Sequence, residues 1–187
     1  MTPLRRNARI RTKRLTILAP ARTDYTDWRD VRNASRKHLI PWEPTWSDDA
    51  LSPDDWQRHL RGWKDAWKLD HAYAFFIWKE RDLIGGMTFS NVKRGPAQAA
   101  NLGYWQGGMH EGNGYMREAV RAGCQWMFAV AGLKRIEAGT LVANERSQNL
   151  LRSVGFKEEG LAREYLQING RRHDHVMFGL VRDSNRV

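Results

Sequence analysis

The chain has 187 residues, of which 41% are hydrophobic and 28% charged, and it contains one cysteine, Cys124. This length favours one domain with a sizeable core, and the balance of apolar and charged residues excludes a disordered chain. A single cysteine excludes an internal disulfide and a cysteine-based zinc cluster, which favours the reducing cytoplasm. No uncharged apolar run approaches the ~20 residues of a transmembrane helix, so we expect no membrane partner.

The formal net charge is +10, and much of it lies at the beginning of the chain. We predict one domain over residues 1–187, in which residues 1–10 form a basic arm. A solvated tail, a contact with RNA and a targeting leader are the three interpretations of such an arm. Six cations and no acid occupy the first fourteen residues, namely Arg5, Arg6, Arg9, Arg11, Lys13 and Arg14.

Hydrophobic periodicity, together with capping and turn residues, predicts seven strands and four helices. Ser52 with Pro53 marks a helix start, Gly155 a helix end, and Asn169-Gly170 a hairpin turn. The order β-α-α-β-β-β-α-β-α-β-β predicts a single α/β (α+β) domain with a mixed sheet. The predicted elements are a strand at 14–18, helices from 23 to 39 and from 52 onward, strands at 72–79, 83–89 and 99–106, a helix from 115, a strand at 135–142, a helix at 145–154, and two final strands. The predicted buried face of the helix from 115 consists of Met116, Ala119, Val120, Gly123, Met127 and Val130.

A glycine-rich turn over residues 109–115 joins a predicted strand to a predicted helix. Gly112 and Gly114 let the backbone come close to a ligand, and the free N–H groups of the helix start favour an anion. The turn lacks the Lys-Ser/Thr ending of a P-loop and the third glycine of a dinucleotide fingerprint. A loop that is glycine-rich only for tight packing is the alternative.

Asn144 and Ser147 open the next predicted helix. They offer an amide and a hydroxyl for chemistry, and the alternative is an N-cap followed by a first-turn polar residue. His110, His173 and His175 lack the spacing of a metal site, so we interpret them as surface or hairpin residues and expect no metal.

Together, these two segments resemble the GNAT superfamily of N-acetyltransferases. Gly112-x-Gly114 matches the end of its acetyl-CoA motif, and Asn144-x-x-Ser147 followed by Gly155-Phe156 matches its last helix. Six segments resemble the ribosomal-protein-alanine N-acetyltransferase (RimJ/RimL) branch, and the likeness covers nearly the whole chain. These segments are Arg11–Leu15, Pro41–Pro44, Phe89–Val92, Leu102–Tyr104, Gly155–Leu166 and Asp174–Val176.

The resemblance implies a GNAT fold with a mixed and mostly antiparallel central sheet. In this sheet the fourth and fifth strands splay apart and admit acetyl-CoA as the cosubstrate. It implies that backbone N–H groups of the turn hold the pyrophosphate, that Asn144 binds the pantetheine arm, and that Ser147 is catalytic at the thioester sulfur. The implied cofactor-binding residues are Leu102, Gly103, Tyr104, Trp105, Gln106, His110, Glu111, Gly112, Asn113, Gly114, Tyr115, Met116 and Asn144.

Four positions depart from the family pattern. Met109 replaces the usual Gln or Arg, and Glu111 places a carboxylate beside the expected pyrophosphate, so we expect Glu111 to point outward. Leu151 stands where many members carry a tyrosine acid, and Leu166 where one subgroup carries a glutamate base. The general base is therefore unassigned.

The resemblance implies direct acetyl transfer to an amine, with the N-terminal alanine of a ribosomal protein as the expected acceptor. An α-amine with a pKa of about 7.7–8.0 is roughly 10–20% neutral at pH 7, whereas neutralising a lysine costs roughly 4–5 kcal/mol. A missing base therefore favours α-amines. Trp42, Glu43 and Tyr165 are predicted to bind the acceptor, with ribosomal RNA as a partner of the arm.

Two alternatives stay open. One is a small-molecule amine acetyltransferase, and the other is a catalytically silent ribosome- or RNA-associated binding module. We expect a monomer or a homodimer in each case.

Overall fold

The computed structural model describes residues 8–182, in which one sheet carries helices on its faces. The strands are β1 (Arg9–Arg11), β2 (Thr16–Leu18), β3 (Tyr73–Lys79), β4 (Asp82–Lys93), β5 (Ala99–Gln106), β6 (Arg135–Leu141), β7 (Lys157–Ile168) and β8 (Arg171–Val181). The α-helices are α1 (Tyr25–Ala34), α2 (Arg36–Leu39), α3 (Pro53–Lys68), α4 (Tyr115–Ala129) and α5 (Glu145–Val154). The sheet order is β1-β2-β3-β4-β5-β6-β8-β7, antiparallel throughout except between β5 and β6. The predicted single domain with a mixed, mostly antiparallel sheet is confirmed.

The beginning of the described chain differs from its prediction. Instead of one strand at 14–18, two short strands, β1 and β2, pair antiparallel. Ile10 in β1 is buried in the core between the exposed Arg9 and Arg11, which anchors this segment to the sheet. The predicted arm over residues 1–10 is therefore corrected at its last residues, and residues 1–7 lie outside the described part.

The helix predicted from 23 to 39 is interrupted at Ser35. Helix α1 ends at Ala34, and α2 begins at Arg36 after Ser35 leaves the helical conformation. The buried Ser35 Oγ accepts a hydrogen bond from the Gly108 N–H at 3.0 Å. This bond ties the helix break to the glycine-rich turn, a partner that helical periodicity does not reveal.

Two apolar clusters lie on opposite faces of the sheet. Successive residues of a strand point to opposite faces, so Phe75 belongs to the cluster that contains Val120 of α4. Phe76 belongs to the other cluster, together with Trp28 of α1 and Trp56 of α3. The tryptophans thus fill much of the second cluster. Within residues 8–182, no helix has the length and apolar character to cross a membrane.

Most of the predicted buried face of α4 is confirmed. Met116, Ala119, Val120, Gly123 and Met127 are buried. Val130 was placed on the same face but is exposed, because the helix ends at Ala129 and the chain turns away there.

The gap between β5 and β6 is the feature that positions the site. The two strands pair only from Ala99 to Asn101, opposite Arg135 to Glu137. Beyond Asn101, β5 stays with β4 and β6 stays with β8, so the predicted splay is confirmed. Because β5 leads to α4 and β6 leads to α5, the start of each helix lies beside this gap.

The last hairpin has the turn that its sequence predicts. Asn169 and Gly170 both have positive φ, 45° and 80°, as a type I′ turn requires. The Asn169 N–H donates to the Glu43 carbonyl at 3.3 Å. This contact brings the hairpin end against the segment that follows α2.

Candidate active site

Three adjoining cavities follow the gap between β5 and β6. Their volumes are about 640, 460 and 170 Å³, and we call them the first, second and third cavity. Gln106 and Glu111 line both the first and the second, while Tyr104 and Ser147 line both the first and the third. The three cavities therefore form one continuous cleft.

The glycine-rich turn forms the wall of the second cavity. Gly112 and Gly114 have φ of 75° and 73°, a backbone conformation that favours glycine. Gly114 is the N-cap of α4, and its carbonyl accepts the first helical hydrogen bond from the Glu118 N–H. The N–H groups of residues 115–117 consequently have no acceptor within the helix, which suits an anion at this point.

Two side chains from outside the turn, one near in sequence and one distant, hold it in place. The Gln106 amide donates to the His110 carbonyl at 2.8 Å. Arg14 donates to the Asn113 carbonyl at 2.9 Å and pairs with Glu118 at 2.7 Å. Arg14, which was counted among the cations of the basic N-terminal stretch, is therefore part of the support of the turn.

Two predicted pyrophosphate contacts in the turn need correction. The N–H groups of His110 and Glu111 donate to the Gly107 and Gly108 carbonyls in a 3-10 turn, so these two donors are already used. The Tyr115 side chain lies outside the cavity linings and packs its ring under the Arg14 guanidinium, 4.6 Å from the ring centre, so the predicted contact of Tyr115 is left to its backbone N–H.

The expectation that Glu111 points outward is wrong. Its carboxylate lines the first and second cavities and pairs with His38 Nε2 at 3.0 Å and with the Arg146 guanidinium. The reason is that α2 and α5 each place a nitrogen-bearing side chain across the cleft from the turn. Neither His38 nor Arg146 carries a motif that indicates this role.

Asn144, Ser147 and Tyr104 meet where the first and third cavities join. The Asn144 side-chain oxygen accepts from the Ser147 N–H at 3.0 Å, which confirms the N-cap alternative, and the residue still lines both cavities. Ser147 Oγ lies 2.7 Å from the Tyr104 hydroxyl. Burial raises the pKa of Tyr104 to about 12, so its hydroxyl is protonated at neutral pH.

The resemblance implies Tyr104 as a cofactor-binding residue but gave no separate role to its hydroxyl. This hydroxyl brings a phenol to the cleft wall that also contains Leu151, the position where the resemblance leads one to expect a tyrosine. Leu151 is buried and lines the third cavity together with the predicted residues Leu102 and Gly103, while the predicted Trp105 lines the first.

The predicted acceptor-binding residues have different surroundings. Trp42 lines the first and third cavities and is 39% exposed. Glu43 lines the first cavity, but its carboxylate accepts hydrogen bonds from Arg32 and from Trp46 Nε1. Tyr165 lies outside the linings of the three cavities and contacts the His175 ring edge-on, with ring centres 5.6 Å apart. Of these residues, Trp42 therefore lies at the cleft surface, whereas Tyr165 lies outside the cleft.

His175 lies in the last hairpin, as one interpretation has it, but it is not a surface residue. The residue is 3% exposed and lines the third cavity. Thr140 lines the same cavity, and its enclosed hydroxyl has no hydrogen-bond partner among the described residues. Within residues 8–182, no group of three or more His, Cys, Asp or Glu side chains is arranged to hold a metal ion.

The donor set fits a long molecule with an anionic end and an amide-bearing arm, as acetyl-CoA is. The unsatisfied N–H groups and two arginines, Arg117 and Arg146, lie at the second cavity. The Asn144 amide lies further along the cleft, where the first and third cavities join, and polar groups of such an arm would come within its reach.

Comparison with known proteins agrees with this arrangement. The family described as acetyltransferase (GNAT) domain matches residues 14–157. The [ribosomal protein uS5]-alanine N-acetyltransferase of Escherichia coli (strain K12) is 35% identical over 174 residues, covering 92% of this chain and 90% of that protein.

Solved structures show the same fold. The crystal structure of ribosomal-protein-S5-alanine acetyltransferase from Vibrio fischeri superposes with a TM-score of 0.88 and 30% identity, covering 96% of this chain and 100% of that one. Mycobacterium smegmatis RimJ in complex with CoA-disulfide gives a TM-score of 0.88 and 27% identity, covering 96% of this chain and 88% of that one. The chain belongs to the GNAT acetyltransferase family and uses acetyl-CoA as its acetyl donor.

Proposed function

We propose that this protein acetylates the N-terminal α-amine of a ribosomal protein whose first residue is alanine. The observation that carries the proposal is the 35% identity with the E. coli enzyme named for the alanine of uS5, which covers 92% of this chain and 90% of that enzyme. An alignment over 92% of the chain spans nearly all of the segments that line the cleft.

The donor side of the cleft supports this function through its own residues. Acetyl-CoA supplies a thioester that a neutral amine can attack. The N–H groups at the start of α4 would bind its pyrophosphate, and the Asn144 amide would bind its pantetheine arm. Ser147 and Tyr104 share a hydrogen bond at the join of the first and third cavities, where their hydroxyls would supply a proton to the leaving sulfur.

The acceptor side supports an amine at a chain end with a small first residue. The third cavity measures only about 170 Å³, so a short side chain suits it better than a long one. Its lining includes no carboxylate, and a lysine acceptor would therefore bear the roughly 4–5 kcal/mol cost of losing its proton without a carboxylate base. Trp42 gives an exposed aromatic surface beside this cavity for the following residues of the acceptor.

A peptide with the first residues of a uS5 protein, beginning with alanine and containing one internal lysine, tests the proposal. We expect fragmentation mass spectrometry to place a single acetyl group on the α-amine. Matched controls are the same peptide with a blocked N-terminus and the same peptide beginning with leucine, both of which we expect to react poorly.

Spermidine and glucosamine represent the small-molecule alternative. Faster acetylation of either amine than of the peptide, or acetylation of the lysine, would contradict the proposal. Binding of CoA with no acetyl transfer to any of these acceptors would indicate the silent binding module instead.

A further inference from the structure

His175 is the one histidine that the fold brings into the lining of the third cavity. We propose that His175 is a catalytic residue that takes the proton from the attacking amine, a role that rests on the amine acceptor proposed above. The residue is buried on β8 and lines the same cavity as Ser147 and Tyr104.

The hydrogen bonds of the ring define which nitrogen is basic. His175 Nδ1 lies 2.9 Å from the backbone carbonyl oxygen of His173. A carbonyl oxygen only accepts, so Nδ1 carries the proton in the neutral ring and Nε2 carries the lone pair. The hydrogen bonds of the described residues leave Nε2 without a partner, and an unpaired basic nitrogen in a reaction cavity is what a proton acceptor requires.

The composition of the third cavity leaves few other candidates. Among its lining side chains, those of His175 and Tyr104 are the ones of a titratable type. Burial raises the pKa of Tyr104 to about 12, which makes its hydroxyl a donor. Against the His175 ring lie the Tyr165 ring of β7 and Gly139 of β6, and neither residue brings a carboxylate, an ammonium or a guanidinium group to it.

The position of His175 in the sheet suits an approach from the side opposite to the leaving sulfur. His175 pairs with Leu141 across β8 and β6, so the two side chains share one face of the sheet. Thr140, the neighbour of Leu141, points to the other face, where Leu151 of α5 belongs to the core cluster. The third cavity joins both faces at the splayed strands, between His175 and Ser147.

The proposed step balances in atoms and charge. Nε2 takes one proton from the ammonium form of the acceptor, which makes His175 an imidazolium, and the freed amine lone pair forms the bond to the acetyl carbonyl carbon. The carbon–sulfur bond breaks, and the sulfur keeps its electron pair and takes a proton from the Tyr104–Ser147 hydroxyl pair. The second proton lost by the acceptor nitrogen restores that hydroxyl pair through water, and His175 releases its proton to solvent, leaving an amide and a free thiol.

The variant His175→Gln removes the base but keeps an amide of similar reach, and His173→Gln is the matched control on the same hairpin. We expect His175→Gln to lower kcat/KM for the alanine peptide about 100-fold near pH 7, within the usual range for a general base. The loss should shrink as the pH rises above about 8, because the acceptor amine is then neutral without help. His173→Gln should follow wild type at every pH.

A loss that stays constant across the pH range, or wild-type activity, would overturn the proposal. His175→Asn serves the same test if the Gln variant does not fold. If wild type acetylates a small amine rather than the peptide, the pH series is measured with that amine as the acceptor. A wrong acceptor in the proposed function is then distinguished from a wrong role for His175.

Nitrogen-15 NMR of the histidine rings gives a readout that needs no turnover. We expect wild type to show an imidazole with protonated Nδ1 and unprotonated Nε2 that is missing in His175→Gln. Addition of CoA with the acceptor should shift the Nε2 signal of His175 and leave His173 unchanged. A neutral ring protonated at Nε2, or no shift, would contradict the assignment.

Discussion

The donor half of the cleft, formed by the glycine-rich turn and the starts of α4 and α5, consists largely of backbone groups and helix caps. The acceptor half, formed by Trp42, Glu43 and the β7–β8 hairpin, consists of side chains that come from distant parts of the chain. Backbone groups at a helix start depend on a few neighbouring residues, such as Gly114 and its φ of 73°. The positions of the side chains at the acceptor half depend on the pairing register of the strands and on where the β7–β8 hairpin packs. One half of the cleft is therefore built by local structure and the other by contacts between distant segments.

The two halves also differ in charge. Arg14, Arg117 and Arg146 lie around the donor half, with Glu111 as a counter-charge inside the cleft. The third cavity, at the acceptor half, has no charged side chain in its lining when His175 is neutral. We therefore expect salt to affect binding at the donor half, and pH to affect turnover through the acceptor half.

The largest effect is expected where the two halves meet. Ser147→Ala should lower kcat about 100-fold and change the KM for acetyl-CoA little, because its hydroxyl matters mainly as charge builds on sulfur. Steady-state kinetics of Ser147→Ala, Tyr104→Phe and the double variant measure this effect. The double variant should lose little more than the more impaired single variant, since the two hydroxyls share one hydrogen bond.

Tyr25→Phe is the control for that series, because it removes a tyrosine hydroxyl bonded to the Leu51 carbonyl away from the cleft. Its kcat should equal that of wild type. Losses that add fully in the double variant would show that Ser147 and Tyr104 act independently.

The next effect concerns the donor half alone. Gly114→Val should weaken CoA binding at least tenfold, about 1.4 kcal/mol, because a branched side chain obstructs the backbone approach and strains a positive φ. Gly132→Val is a matched control, since Gly132 has the same φ of 73° at an open position outside the cleft linings. Isothermal titration calorimetry on both folded variants separates obstruction from strain, and equal losses would reject the site.

A smaller effect is expected from the carboxylate inside the cleft. Glu111→Gln should tighten CoA binding about two- to fivefold at low salt, because Arg146 loses its ion pair with Glu111 and is then free for the pyrophosphate. This change in affinity corresponds to about 0.4–1 kcal/mol, the size of an exposed ion pair. Glu158→Gln breaks a comparable pair with Arg152 on the same helix and should leave the affinity unchanged. Weaker binding by Glu111→Gln in the calorimeter would mean that the carboxylate supports the turn instead.

The smallest effect on peptide turnover is expected from the first residues of the chain. Deletion of residues 1–7 should leave turnover on a short peptide near wild type, because the supports of the turn begin later. It should reduce activity on ribosomal particles and flatten its salt dependence if Arg5 and Arg6 contact RNA phosphates. Deletion of residues 1–14 should in addition weaken CoA binding, through loss of the Arg14 bond to Asn113. Equal activity of the 1–7 deletion and wild type on particles at low and high salt would make these residues a solvated tail.

Much of the donor half was predictable because its signals are local. Gly114, Asn144 and Gly155 stand at helix ends, where caps follow from neighbouring residues, and each lies at the helix terminus that was predicted. The splay of β5 and β6 came from the resemblance rather than from periodicity, since strand spacing alone does not say where a parallel pair separates.

The remaining contacts were missed because they join residues far apart. Ser35 interrupts a helix for a bond to Gly108, and Arg14 bonds to the Asn113 carbonyl across 99 residues. His175 belongs to a segment that carries the resemblance, and in the hairpin it pairs with Ala162, where an irregular register between Ala162 and Leu166 begins. The alternation of β8 could have shown which face His175 occupies, and only the docked hairpin shows that this face closes a cavity.

The separation of the two halves is tested most directly by calorimetric titration of CoA into Trp42→Ala, beside Gly114→Val, with the KM for the alanine peptide measured for both. We predict that Trp42→Ala keeps the wild-type affinity for CoA and raises the KM for the peptide, whereas Gly114→Val does the reverse. Loss of CoA affinity in Trp42→Ala as large as in Gly114→Val would contradict the division of the cleft into a donor half and an acceptor half.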